Sequence, residues 1–74
     1  MSMRDTFARN LRRLRNDRGL SQEELADLAD LDRTYISALE RSIYAVSIDT
    51  FEKLAKALKA DPLEFLAGPR RQKA

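Results

Sequence analysis

Residues 21–41 of the chain read SQEELADLADLDRTYISALER, and this stretch predicts two short helices joined by a tight turn. Ser21 and Glu24 have the spacing of a capping box, which starts the first helix. Asp32 is a natural N-cap for the second helix. The stretch therefore sets a helix-turn-helix at the centre of the chain.

The two helices differ in the chemistry of their faces. The first places Leu25, Ala26 and Ala29 on one side. The second has an apolar back at Ile36 and Leu39 and polar residues at its N-terminal end. A short helix with this division of faces suits insertion into the major groove of DNA.

The flanking sequence predicts three further helices and no strand. Phe7, Leu11 and Leu14 recur at helical spacing, and Gly19 ends the helix that they define. The pattern indicates one all-α domain over residues 1–68, followed by a flexible basic tail over residues 69–74. The predicted helices run from about Asp5 to Arg18, Gln22 to Ala29, Arg33 to Arg41, Ser47 or Asp49 to Leu58, and Asp61 to near Gly68.

The composition argues against several classes of function. The 74 residues contain no cysteine and no histidine, which leaves no disulfide, no thiolate or imidazole metal site and no serine–histidine triad. No apolar run approaches the roughly 20 residues of a membrane span. We expect a cytoplasmic protein that is not an enzyme, with no membrane partner, no metal, no cofactor and no small-molecule effector.

The charge is unevenly distributed although the net charge is only +2. Residues 20–32 carry five acids and no base. Such a division is typical either of a face that meets an anion or of a solvated arginine-rich helix, and charge alone leaves both open. Six arginines lie in the first eighteen residues: Arg4, Arg9, Arg12, Arg13, Arg15 and Arg18.

The central motif is embedded in a longer pattern that resembles a known family. The run SQEELA at 21–26, the run LER at 39–41, SIDTF at 47–51 and LAKAL at 54–58 together resemble the helix-turn-helix (XRE) family of phage Cro and repressor proteins. The resemblance covers roughly residues 5–67 and implies a five-helix, lambda-repressor-like DNA-binding domain.

Within that family, LDRTYIS at 31–37 is similar to the recognition helix of the controller proteins of restriction–modification systems. The chain departs from the family at two positions. Asp30 stands where glycine is usual in the turn, and aspartate tolerates the left-handed conformation better than most residues. Ser42 stands where glycine usually follows the third helix, which leaves the shape of residues 42–46 and their phosphate contacts open.

Base contacts are predicted from the start of the third helix. An Arg33 guanidinium there can hold guanine O6 and N7, worth roughly 1–3 kcal/mol of discrimination, or it can meet phosphate or solvent instead. The resemblance favours base contact for Thr34 above all, and Ser37 is a further candidate. Ala38 is predicted to touch a thymine methyl, unless it is simply a good helix former.

Contacts to the DNA backbone are predicted mainly at helix ends. The resemblance implies that the side chain and amide of Gln22 bind a phosphate, and helix N-termini attract anions. The Tyr35 hydroxyl reaches the backbone or a base step, or else the side chain packs against the second helix. Ser47 either binds phosphate or caps the fourth helix. The predicted backbone contacts are Ser21, Gln22, Tyr35, Arg41, Ser42 and Ser47.

The resemblance also implies two structural contacts. Arg15 and Glu40 are expected to form a partly buried ion pair between the first and third helices. Phe65 and Leu66 are expected at a two-fold dimer interface, the alternative being that they close the monomer core. A dimer would place two recognition helices about 34 Å apart on a pseudo-palindromic operator in double-stranded DNA.

Two functions remain in competition at this point. The first is a dimeric, sequence-specific transcriptional regulator, such as an autoregulating controller of a restriction–modification operon. The second is an antitoxin-like or adaptor module whose main partner is a protein, favoured by the apolar pair Ile43 and Tyr44 and by the acidic second helix.

Overall fold

The computed structural model describes residues 2–68, which form five α-helices and no β-strand. This confirms the predicted all-α, five-helix fold. The predicted basic tail, residues 69–74, lies outside the described residues. Within the described range, no helix is both long and apolar enough to cross a membrane. The helices are α1 (Met3–Asp17), α2 (Gln22–Ala29), α3 (Arg33–Glu40), α4 (Ile48–Leu58) and α5 (Pro62–Phe65).

Each helix starts at a residue whose side chain accepts a backbone N–H. The Ser21 hydroxyl accepts the Glu24 N–H at 3.0 Å, and the Glu24 carboxylate accepts the Ser21 N–H at 2.8 Å, so the capping box is complete. The helix α1 begins two residues earlier than predicted because the Ser2 hydroxyl accepts the Asp5 N–H at 3.1 Å. The five N-caps are Ser2, Ser21, Asp32, Ser47 and Asp61.

Left-handed residues end the first four helices. Gly19 has φ of 68°, and Asp30 has φ of 58°, so the aspartate takes the conformation expected of it in the turn. Ser42 has φ of 61°, which means that it follows α3 in the conformation for which glycine is usual. Lys59 does the same after α4, at φ of 52°.

The core lies where α1, α2, α3 and α4 meet, and α5 closes one end of it. Phe65 is fully buried, stacked on Phe7 at 5.5 Å between ring centroids and edge-on to Phe51 at 5.2 Å. This corrects the prediction that Phe65 contributes to a dimer interface. Phe65 is the last residue of α5, a single turn that begins at Pro62, and its ring packs against Phe7 of α1.

Asn10 secures α5, and sequence reasoning did not identify it. Its side-chain amide is buried and donates to the carbonyls of Phe65 at 2.8 Å and Ala67 at 2.9 Å. These carbonyls have no helical partner because α5 ends there, so the amide supplies the missing donors. In a similar way, Arg18 Nε donates to the Leu58 carbonyl at the end of α4, at 2.8 Å.

Candidate nucleic-acid interface

The helix-turn-helix is held together by small side chains and backbone hydrogen bonds. Ala26 and Ala29 are both buried on the side of α2 that contacts the core. The Leu31 N–H donates to the Ala26 carbonyl at 2.8 Å, which closes the turn after the left-handed Asp30. The close packing that results leaves the N-terminal part of α3 projecting from the surface.

The exposed face of α3 carries the polar residues that were predicted to read bases. Arg33 and Thr34 are exposed and Ser37 is half-buried. The Asp32 carboxylate accepts the Thr34 N–H at 2.8 Å, which fixes the first turn of the helix. Among residues 2–68, no acidic side chain forms an ion pair with Arg33. Its guanidinium is therefore available to an external ligand.

Ala38 does not belong to this face. Its side chain is buried, and its carbonyl accepts the Ile43 N–H at 3.0 Å where the chain turns back after α3. The predicted contact with a thymine methyl is corrected on this ground. A methyl group enclosed by its own chain cannot meet a base edge.

Tyr35 is half-buried against the core, with its ring centroid 6.3 Å from that of Tyr44. The Tyr35 ring is therefore packed within the protein, as one of the two alternatives predicted. Its aromatic neighbour is Tyr44, in the segment between α3 and α4, and not a residue of α2. This aromatic pair connects α3 to the segment that follows it.

Glu40 is the centre of a buried polar cluster behind α3. Its side chain is 0% exposed and accepts two hydrogen bonds from Arg15, from Nε at 2.6 Å and from Nη2 at 2.9 Å. Arg15 is 13% exposed and also donates to the Leu20 carbonyl at 2.8 Å. The expected ion pair between α1 and α3 is thus present, in a bidentate geometry.

Gln22 joins the same cluster. Its side-chain amide donates to Glu40 Oε1 at 3.1 Å. The prediction that this side chain binds phosphate is corrected in part, because the amide nitrogen is engaged inside the protein. The contact braces the start of α2 against the end of α3.

The cluster also explains the protonation state of Glu40. Burial is the strongest single influence and raises the pKa of this carboxyl, but the hydrogen bonds from Arg15 and Gln22, together with the positive charges of Arg15 and Arg12, hold the pKa below its ordinary value. Glu40 is therefore ionised at neutral pH, and the pair acts as part of the scaffold.

The serine hydroxyls predicted to contact the DNA backbone have partners within the protein. Ser21 caps α2. Ser47 accepts the Thr50 N–H at 3.1 Å and donates to the Thr50 hydroxyl oxygen at 3.0 Å, so the helix-cap alternative describes it. The Ser42 hydroxyl donates to Asp5 Oδ1 at 2.5 Å, and this bond lowers the pKa of the Asp5 carboxyl.

Leu66 lies on a separate, apolar part of the surface. It is exposed, and it lines a groove of about 560 Å³ together with Met3, Tyr44 and Val46. Leu63 is also exposed, on the single turn of α5 that precedes it. Unlike Phe65, these side chains remain available to another molecule.

Comparison with known proteins places this geometry among characterised helix-turn-helix proteins. Residues 11–65 match the helix-turn-helix family HTH_3. A hypothetical transcription factor of Neisseria meningitidis serogroup B is 41% identical over 68 residues, which cover 92% of this chain. The chain spans 64% of the length of that protein.

Two solved structures of restriction-modification controller proteins are similar over most of their length. C.AhdI from Aeromonas hydrophila is 45% identical with a TM-score of 0.81, covering 84% of this chain and 94% of that chain. C.Esp1396I, solved as a tetramer in complex with its natural 35 base-pair operator, is 31% identical with a TM-score of 0.81. That match covers 88% of this chain and 86% of that chain.

Proposed function

Because this chain belongs to the helix-turn-helix family HTH_3 and resembles the restriction–modification controller proteins, we propose that it is a transcriptional regulator that binds double-stranded DNA through α3. The observation that carries the proposal is the pair of exposed residues Arg33 and Thr34 at the start of a helix whose C-terminal end is held by the buried ion pair of Glu40. A rigid helix with an exposed polar N-terminus can read bases without first being ordered.

The proposed roles follow the chemistry of each side chain. Arg33 donates to guanine O6 and N7 in the major groove, and Thr34 and Ser37 contact neighbouring base edges. Arg41 and the backbone amide of Gln22 contact phosphates, which set the position of the protein on the duplex. Only the base contacts of Arg33, Thr34 and Ser37 select the DNA sequence.

The protein acts as a homodimer on a pseudo-palindromic operator in this proposal. Leu66 and Leu63, with the apolar groove beside Tyr44, supply the two-fold contact in place of the buried Phe65. Two recognition helices would then lie about 34 Å apart, on successive turns of one face of the duplex. The operator belongs to a restriction–modification operon that includes the regulator's own gene, in the cytoplasm of a bacterium.

Selection of bound duplexes from a random DNA pool tests base reading. The parent protein enriches a two-fold symmetric site. Arg33→Ala loses the preference for guanine at one position in each half-site, with affinity for the selected site about 5- to 150-fold weaker, the equivalent of roughly 1–3 kcal/mol. Arg41→Ala weakens binding to selected and random duplexes alike.

The matched control is Arg13→Ala, which removes an exposed arginine from α1 and should leave the selected sequence unchanged. An Arg33→Ala protein that selects the parental site with parental affinity would refute base reading by this residue. A parent protein that enriches no DNA sequence but binds a protein partner would favour the antitoxin-like or adaptor function. The exposed residues Ile43 and Tyr44 suggest that function.

Sedimentation equilibrium at micromolar concentration tests the dimer. Leu66→Glu should shift the protein toward the monomer because a carboxylate in an apolar contact is poorly solvated. Leu28→Glu changes a leucine on α2 that is more exposed than Leu66, and it serves as the control. A parent protein that sediments as a monomer throughout the range would overturn the proposed dimer.

A further inference from the structure

A cleft with excess positive charge separates α1 from the end of α3. It has a volume of about 280 Å³. Arg15 neutralises Glu40 at the base of the cleft, and Asp5 is the other acid there. The three arginines of the cleft, Arg9, Arg12 and Arg41, therefore outnumber Asp5, its remaining acid. The residues that define this α1–α3 cleft are Asp5, Ala8, Arg9, Arg12, Glu40, Arg41 and Ser42.

The cleft adjoins the proposed DNA-binding face on two sides. Arg33, Ser37 and Arg41 follow each other at intervals of four residues, so the side of α3 that is exposed at Arg33 and half-buried at Ser37 leads to the exposed Arg41 in the cleft. On the other side, Arg12 Nε lies 3.5 Å from Glu40 Oε1, the same oxygen that accepts the Gln22 amide. Arg12 is therefore adjacent to the start of α2, the proposed phosphate site.

The guanidinium of Arg12 is held at one edge and open at the other. Its Nε faces the buried carboxylate of Glu40, while its side chain is 56% exposed. A guanidinium that is oriented through one nitrogen can offer its remaining N–H groups to a phosphate in a paired geometry. Less side-chain freedom is then lost on binding than for an unrestrained arginine.

We propose that the α1–α3 cleft binds a phosphate of the DNA backbone, with Arg12 and Arg41 as the cations that contact it. This inference rests on the proposed function and extends the interface from the helix-turn-helix onto α1. The contact is to a phosphodiester, so it strengthens binding to any duplex and fixes the position of α1 on the strand. It adds no sequence preference.

The test is the salt dependence of duplex binding by Arg12→Gln. Loss of one phosphate contact lowers the slope of log Kobs against log salt by about 0.9. We expect this decrease, with affinity for the selected site and for a random duplex reduced by the same factor. Arg13→Gln removes the same charge from the same helix, but Arg13 is 45% exposed and pairs with Asp17 at 3.7 Å. Its slope should stay at the parental value.

A second variant changes the charge of the cleft in the opposite direction. Asp5→Asn removes the negative charge while retaining an acceptor for the Ser42 hydroxyl. It should bind both duplexes more tightly than the parent. Unchanged or weaker binding by Asp5→Asn would contradict a phosphate in the cleft.

Thermal melting separates binding from folding, since Arg12 also approaches Glu40. A lower melting temperature for Arg12→Gln combined with a parental salt slope would overturn the proposal and leave Arg12 a purely structural residue. Equal slopes for Arg12→Gln and Arg13→Gln would overturn it as well. A parent protein without measurable duplex binding would instead refute the proposed function on which the inference rests.

Discussion

Removal of the Glu40 carboxylate is expected to destabilise the contact between α1 and α3 strongly. Glu40→Ala eliminates two hydrogen bonds from Arg15 and one from Gln22. The Arg15 guanidinium, 13% exposed, would keep only the Leu20 carbonyl among these acceptors. A largely buried cation would then be left without a counter-charge.

The size of the effect follows from the burial of the pair. Breaking a buried ion pair from one side costs about 3–5 kcal/mol because the remaining charge is poorly solvated. The partial exposure of Arg15 and its bond to Leu20 favour the lower end, about 3 kcal/mol. For a domain of this size, each kcal/mol shifts the melting temperature by about 4–8 °C, which gives a decrease of about 12–24 °C.

Thermal melting followed by circular dichroism at pH 7 measures this decrease. Asp17→Ala is the matched control, since its pair with Arg13 spans 3.7 Å on the surface of α1 and is exposed on both sides. Such pairs contribute about 0.3–0.5 kcal/mol. If Glu40→Ala melted within the range of Asp17→Ala, the buried pair would not contribute as argued.

The same pair predicts a dependence on pH. Burial raises the pKa of Glu40, but the hydrogen bonds from Arg15 and Gln22 and the charges of Arg15 and Arg12 together outweigh burial, so the folded pKa lies below the ordinary value of 4.5. The stabilisation is therefore complete above about pH 4.5 and is lost as the pH falls through the folded pKa. The difference in melting temperature between the parent and Glu40→Gln should shrink from pH 7 to pH 3. A difference that stays constant would contradict ionisation of Glu40 as its source.

Two further predictions concern the ends of helices. Asn10→Ala leaves the carbonyls of Phe65 and Ala67 without their donor, and chemical denaturation should show a loss of about 1–3 kcal/mol. A value below 0.5 kcal/mol would show that α5 is held by its aromatic contacts alone. Lys59→Gly relieves a left-handed residue at φ of 52° and should raise the free energy of unfolding by up to about 1 kcal/mol. Loss of stability in Lys59→Gly would mean that the added freedom of the unfolded chain outweighs the relief.

Local chemistry in the sequence was sufficient to predict the secondary structure around the turn. The helix α2 has the predicted bounds, Gln22–Ala29, because a capping box starts it and Asp30 can take the left-handed conformation that ends it. The capping box of Ser21 and Glu24 spans one helical turn, and the left-handed conformation belongs to Asp30 itself, so both effects are local in the sequence. The exposure of Arg33 and Thr34 follows in the same way from the periodicity of α3.

Such local rules could not predict contacts between residues that are far apart in the sequence. Phe65 has the pattern of a core residue and of an interface residue alike, and only its contacts with Phe7 and Phe51 in the folded chain assign it to the core. The turn after α3 buries Ala38 because Ile43 bonds back to its carbonyl. Neither outcome could be read from helical spacing alone.

Short-range capping and helical periodicity within residues 21–41 thus decided the helix-turn-helix and the residues on its exposed face. The buried cluster was decided by packing. The resemblance predicted the pair of Arg15 and Glu40. That Gln22 also donates to the Glu40 carboxylate requires three helices, α1, α2 and α3, to meet at one point. Burial then makes each hydrogen bond there obligatory, since water is excluded from the carboxylate. The same convergence sets Arg12 beside α2, a position that only the folded chain defines.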